Sequence, residues 1–108
     1  MLSKLPNFTK KNAVICGLKC ASVAPAESHP NRYWQKDGKH FVSLYNKAKE
    51  NKAQLFLVNY KVSDPKVKVI WVKKLDAKKG ITAQVQEVLD REQYTAWLEK
   101  MEGSFNII

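Results

Sequence analysis

Apolar and polar residues alternate along the middle of the chain with the period of two that is typical of β-strands. Three successive runs, 54–62, 66–72 and 81–88, follow this pattern and are separated by turn sequences containing Ser-Asp-Pro and Lys-Lys-Gly. The short turns predict that neighbouring runs pair antiparallel. We therefore predict a three-stranded antiparallel meander, with Phe56 and Trp71 on the same face.

Two further segments repeat their apolar residues with the period of a helix. The first covers about 40–51, and the second covers about 90–102. In the first, apolar residues recur at i, i+3, i+4 and i+7, which is the stripe of an amphipathic helix: Phe41, Leu44, Tyr45 and Ala48. In the second, Asp90 and Gln93 have the spacing of a capping box, which marks a helix start.

The order of these elements predicts one small α+β domain over 13–108, preceded by a basic N-terminal arm over 1–12. A fourth strand is expected within 13–23. We expect an antiparallel meander sheet of three to four strands with both helices packed on one face. The alternative is a small barrel of the OB type with an appended C-terminal helix, which requires 31–45 to form a hairpin.

Positive charge dominates the first three-quarters of the chain. The net charge is +9, and residues 1–80 hold 17 Lys and Arg against 5 Asp and Glu, whereas residues 81–108 hold 2 against 5. All but two of the 19 cations are lysines. Lysine is a hydrated point charge, so this composition favours sequence-independent attraction to phosphates over the reading of base edges.

The candidate nucleic-acid contacts lie on the predicted lysine-rich sheet face, in the turn that follows it and in an aromatic loop. They are Lys61, Lys66, Lys68, Lys73, Lys74, Lys78, Lys79, Arg32, Tyr33 and Trp34. Tyr33 and Trp34 could stack on bases, or Trp34 could hold its loop against the core. Leu55 and Ile70 point to the same face as the lysines, so that face is either open or covered by a second layer.

We expect a non-enzymatic nucleic-acid-binding domain that recognises RNA or single-stranded DNA. The alternative is a small interaction protein, such as an inhibitor or a viral or mobile-element antagonist, that binds an acidic protein. A narrower form of this alternative sequesters anionic nucleotides, for which a concave basic pocket is required. The acidic second helix would also suit a homodimer contact.

No spacing in the chain indicates a metal site, a cofactor site or a catalytic site. Cys16 and Cys20 would lie roughly 13 Å apart on a strand, and His29 and His40 are too far apart in sequence to complete a zinc site. Two cysteines and the lack of a signal-like or membrane-spanning run lead us to expect a reducing cytoplasmic setting.

Overall fold

A computed structural model describes residues 13–100 and the backbone of residues 106 and 107. Its strands are β1 (Ala13–Lys19), β2 (Gln54–Tyr60), β3 (Lys66–Asp76), β4 (Gly80–Asp90) and β5 (Asn106–Ile107). Its helices are α1 (Trp34–Glu50) and α2 (Arg91–Lys100), and two 3-10 turns, Pro25–Glu27 and Pro30–Tyr33, precede α1. The predicted arm over 1–12 lies outside the described residues.

The sheet is open and has the strand order β4-β3-β2-β1-β5. The predicted meander β2-β3-β4 is antiparallel, and the predicted α+β class is confirmed. Because the sheet is open, the alternative prediction of a small barrel of the OB type is wrong. The fourth strand, β1, pairs with β2 in parallel. Parallel neighbours need a long crossover connection, and the segment containing α1 provides it.

The two helices cover opposite faces of the sheet, so the expectation that both pack on one face is wrong. Phe41 and Leu44 of α1 pack in one core cluster with Leu57 and Ile70, while Trp97 of α2 packs in another with Phe56, Val58 and Val67. The physical reason lies in β2, whose residues from Leu55 to Asn59 are all buried. A strand that is apolar on both sides requires a cover on both sides.

Helix α1 begins six residues before the predicted start at residue 40. Trp34 is buried, and its indole packs so closely on Gly38 that a β-carbon there would lie 2.8 Å from Trp34 Nε1. The Asp-Gly pair that resembles a turn in the sequence is therefore a helical site where only glycine fits beside the ring.

Helix α2 has the predicted capping box. The Gln93 backbone N–H donates to Asp90 Oδ1 (2.7 Å), and the Asp90 N–H donates to Gln93 Oε1 (3.0 Å). These reciprocal bonds satisfy backbone donors that the first turn of a helix leaves unpaired. The predicted end near residue 102 lies outside the described residues. In the described part of the chain, neither helix has the length and apolar character needed to cross a membrane.

Candidate functional site

The predicted lysine-rich sheet face is covered by α1 and the loop before it. Lys68 is only 5% exposed, and its ammonium donates to the carbonyl oxygens of Ser28 (3.0 Å) and Ala26 (3.5 Å). Asn59 is 1% exposed and also donates to Ser28 O, at 2.9 Å. Lys68 is therefore not a surface contact, because the apolar residues that share its face, such as Ile70, required a second layer.

Burial also changes the chemistry of this lysine. Loss of hydration lowers the pKa of Lys68 from its ordinary value, and the nearby Cys20 thiol opposes that shift in smaller measure. In the described part of the chain, the hydrogen bonds of this ammonium run to backbone carbonyls and not to a carboxylate. Within residues 13–100, the buried Lys68 ammonium is therefore held by carbonyl dipoles of the loop before α1.

The aromatic loop residues separate into one buried and one exposed side chain. Trp34 is 8% exposed, and its Nε1 donates to Ala77 O at 2.8 Å, in the β3–β4 turn. Trp34 thus holds α1 against the turn and cannot stack on a base. Tyr33 is 44% exposed and Arg32 is also exposed, so both can contact a ligand.

The other predicted lysines form two groups at opposite ends of the β3–β4 hairpin. The first group, Lys61 and Lys66, flanks the β2–β3 turn; Lys61 is half-buried and Lys66 is exposed. In that turn, Arg91 Nη2 donates to the carbonyl oxygens of Lys61 (2.9 Å) and Asp64 (2.8 Å). The second group is exposed and lies in or beside the β3–β4 turn: Lys73, Lys74, Lys78 and Lys79.

The β3–β4 turn lies against α1 and forms one surface with it. Besides the Trp34 bond to Ala77, the Tyr45 hydroxyl donates to Lys73 O at 3.2 Å. Lys49 extends from α1 over the Tyr45 ring, 5.3 Å from its centroid. We call this surface the basic band, and its cations are Arg32, Lys49, Lys78 and Lys79. Lys74 is outside it, because Leu75 packs under α1 and the preceding strand residue therefore points to the opposite face.

Two charged residues beside the β3–β4 turn do not add cations to the basic band. The Lys73 ammonium turns toward the Trp71 ring, 4.8 Å from its centroid, so it lies on the α2 side of the sheet and outside the band. The Asp76 carboxylate accepts the backbone N–H groups of Lys78 (2.8 Å) and Lys79 (2.9 Å), and these bonds lower its pKa. Asp76 therefore shapes the turn that presents the two lysines.

A cavity of about 510 Å³ lies at the carboxyl ends of β1 and β2 and extends under the first half of α1. Polar and ionisable side chains that line it include Lys19, Cys20, Tyr33, Lys36, Asp37 and His40, with Asn59 at its base. Sequence reasoning missed this cavity, since it depends on the parallel pairing of β1 and β2, which are separated by the 34 residues between Lys19 and Gln54.

The loop over this cavity is held by hydrogen bonds to β4. His29 Nδ1 accepts the Asn31 N–H (3.1 Å), so its Nε2 carries the proton and donates to Gln84 Oε1 (2.6 Å). The Asn31 side chain pairs with the Ile81 backbone, accepting from its N–H (2.8 Å) and donating to its carbonyl (3.1 Å). Both histidine nitrogens are used by the fold, which leaves His29 no free nitrogen for a metal or a substrate.

The two cysteines differ in access. Cys16 is buried in the core under α1, and burial raises the pKa of its thiol. Cys20 is partly exposed and lines the cavity. Within residues 13–100, no three His, Cys, Asp or Glu side chains are grouped closely enough to hold a metal ion.

Comparison with known proteins adds no relative: no protein-family model, curated protein or solved structure matches this chain.

Proposed function

We propose that the protein binds RNA or single-stranded DNA through the basic band, by phosphate contacts that do not depend on base sequence. The observation that carries this proposal is the pair of hydrogen bonds that join α1 to the β3–β4 hairpin, from Trp34 and from Tyr45. Because of these bonds, cations from two separate parts of the chain share one surface.

The size of the band suits a nucleic-acid strand. Trp34 and Tyr45 are eleven residues apart on α1, which corresponds to about 16 Å along a helix. About five phosphates of one strand occupy that length at the spacing of B-form DNA. Lysines in a turn and on a helix can follow such a backbone without contacting base edges, and the exposed Tyr33 ring adds a stacking surface at one end.

Matched charge reversals test this proposal. Lys78→Glu/Lys79→Glu alters the band, and Lys61→Glu/Lys66→Glu makes the same change in net charge at the other end of the hairpin. Binding of a fluorescent random-sequence RNA and a single-stranded DNA is measured by anisotropy between about 50 and 200 mM salt. We expect the first variant to lose more than tenfold in affinity and the second to lose less than threefold.

The salt dependence provides a second criterion. Each phosphate contact on a single strand contributes about 0.7 to the slope of log affinity against log salt, so losing two contacts should reduce the slope by about 1.4. Equal losses in the two variants would show that net charge, and not the band, governs binding. A wild-type protein that retains neither oligonucleotide at low salt would overturn the proposal and leave an acidic protein as the partner of these cations.

A further inference from the structure

The cavity at the carboxyl ends of β1 and β2 has the position of a ligand site. In sheets with parallel strands, ligands bind beyond the carboxyl ends of those strands, beside the helix that connects them. Here β1, α1 and β2 form such a unit, and the cavity is lined by residues from all three. Its volume, about 510 Å³, lies within the range found for small-molecule sites.

The charges around the cavity favour an anion. Lys19 and Lys36 are exposed on its wall, and the buried Lys68 ammonium lies behind Ser28, whose carbonyl it contacts at 3.0 Å. Asp37 is the one carboxylate among the lining residues. Three cations against one carboxylate leave a positive potential, and low surrounding polarity strengthens it around the buried charge.

The aromatic and hydrogen-bonding side chains of the lining suit a planar ring that carries hydrogen-bonding edges. Tyr33 presents an exposed aromatic face on the wall of the cavity, and His40 lines it two helical turns further along α1. At the base, Asn59 is 1% exposed and its Nδ2 donates to Ser28 O, so this amide fixes the polar wall of the cavity. Asp37 can accept hydrogen bonds from sugar hydroxyls, as carboxylates do in nucleotide sites.

We propose that this cavity binds a mononucleotide, with Lys19 and Lys36 as the phosphate-binding cations and Tyr33 as the ring that stacks on the base. Tyr33 borders both this cavity and the basic band, but the phosphate-binding lysines of the two sites are different, and the proposal does not depend on nucleic-acid binding. The band's lysines in the β3–β4 turn do not line the cavity. Substitutions in that turn therefore distinguish failure of one proposal from failure of the other.

The Cys20 thiol gives a direct assay of occupancy, because it lines the cavity while Cys16 is only 2% exposed. The rate at which iodoacetamide alkylates Cys20 is measured with and without AMP, GMP, CMP or UMP, at concentrations up to 5 mM. We expect at least one nucleotide to slow alkylation fivefold or more in a saturable manner. Adenosine and inorganic phosphate at the same concentration should slow it less than twofold.

Variants identify the groups that bind. Lys36→Gln and Tyr33→Leu should each weaken protection by AMP or its best analogue at least fivefold. Lys47→Gln, on the same helix but outside the cavity lining, and Lys78→Glu/Lys79→Glu should leave protection unchanged. The proposal is overturned if no mononucleotide protects Cys20, if inorganic phosphate protects equally well, or if Lys36→Gln and Lys47→Gln behave alike.

Discussion

The two faces of the sheet are each covered by one helix, but they are built from different kinds of residue. The face under α2 is aromatic and apolar: Phe56 meets Trp97 edge-on at 5.1 Å between ring centroids and stacks near Trp71 at 6.3 Å. The face under α1 is apolar over much of its area, yet near the end of β2 it contains Asn59 and Lys68, both buried and bonded to Ser28 O.

This difference indicates where stability and binding reside. Burying an amide and an ammonium costs free energy unless their hydrogen bonds are made. On the α1 face these hydrogen bonds are made beside the cavity, whereas the described buried residues of the α2 face include no such polar pair and leave the Trp97 indole N–H without a hydrogen-bond partner. We infer that the α2 face serves mainly to stabilise the fold, while the α1 face also carries the proposed binding sites.

The largest expected effect is the loss of stability when the α2 face is opened. Phe56→Ala should lower the free energy of unfolding by about 3–5 kcal/mol, because Phe56 is fully buried between two tryptophans. Urea denaturation at pH 7 measures the change. Val62→Ala is the control, since Val62 is 75% exposed and should change stability by less than about 0.5 kcal/mol. A loss below about 1.5 kcal/mol for Phe56→Ala would contradict this view of the α2 face.

The next effect concerns the loop over the cavity on the α1 face. Asn31→Ala removes both hydrogen bonds to the Ile81 backbone and should lower the free energy of unfolding by about 1–2 kcal/mol. It should also speed alkylation of Cys20, because the loop that limits access to the cavity loses its attachment to β4. Asn46→Ala, an exposed site on α1, should change neither quantity. Unchanged Cys20 reactivity in Asn31→Ala would show that this attachment does not control the cavity.

A smaller effect is expected just after α1. Lys52 has φ 55°, a left-handed conformation that favours glycine where a helix ends. Lys52→Gly should therefore raise the free energy of unfolding by about 0.5–1 kcal/mol. Lys47→Gly, within the helix, should lower it instead. Thermal and urea denaturation would measure the change in the free energy of unfolding for each variant. A loss of stability in both variants would contradict the proposed backbone strain at Lys52.

The smallest effect is a pH dependence caused by the buried lysine. Because burial lowers the folded-state pKa of Lys68, the unfolded chain binds more protons between that pKa and the ordinary lysine value near 10.4. Stability from this group should therefore rise with pH across that window. Two proteins are compared, both with Cys20→Ser, one keeping Lys68 and the other carrying Lys68→Met. From pH 7 to pH 10, the free energy of unfolding of the Lys68 protein should rise relative to that of the Lys68→Met protein. A difference that stays flat or falls with pH would show that the ammonium is not desolvated.

Local patterns predicted the elements better than they predicted their arrangement. The meander and the Asp90–Gln93 capping box depend on residues close in sequence, and both were predicted. The covering of Lys68 and the burial of Trp34 depend on where α1 and its loop lie, which strand alternation does not reveal. The cavity forms only because β1 and β2 pair in parallel, so its lining residues could be noted singly but not brought together.

The most direct test of the account compares the two helices in one titration. ¹H–¹⁵N NMR spectra of the wild-type protein are recorded while a short random-sequence single-stranded RNA is added at low salt. We expect saturable shifts in the amides of residues 32–49 and 73–79, which contain the basic band, and none above background in α2 at residues 91–100. Shifts concentrated in α2, or spread evenly over the whole surface, would contradict the assignment of binding to the α1 face.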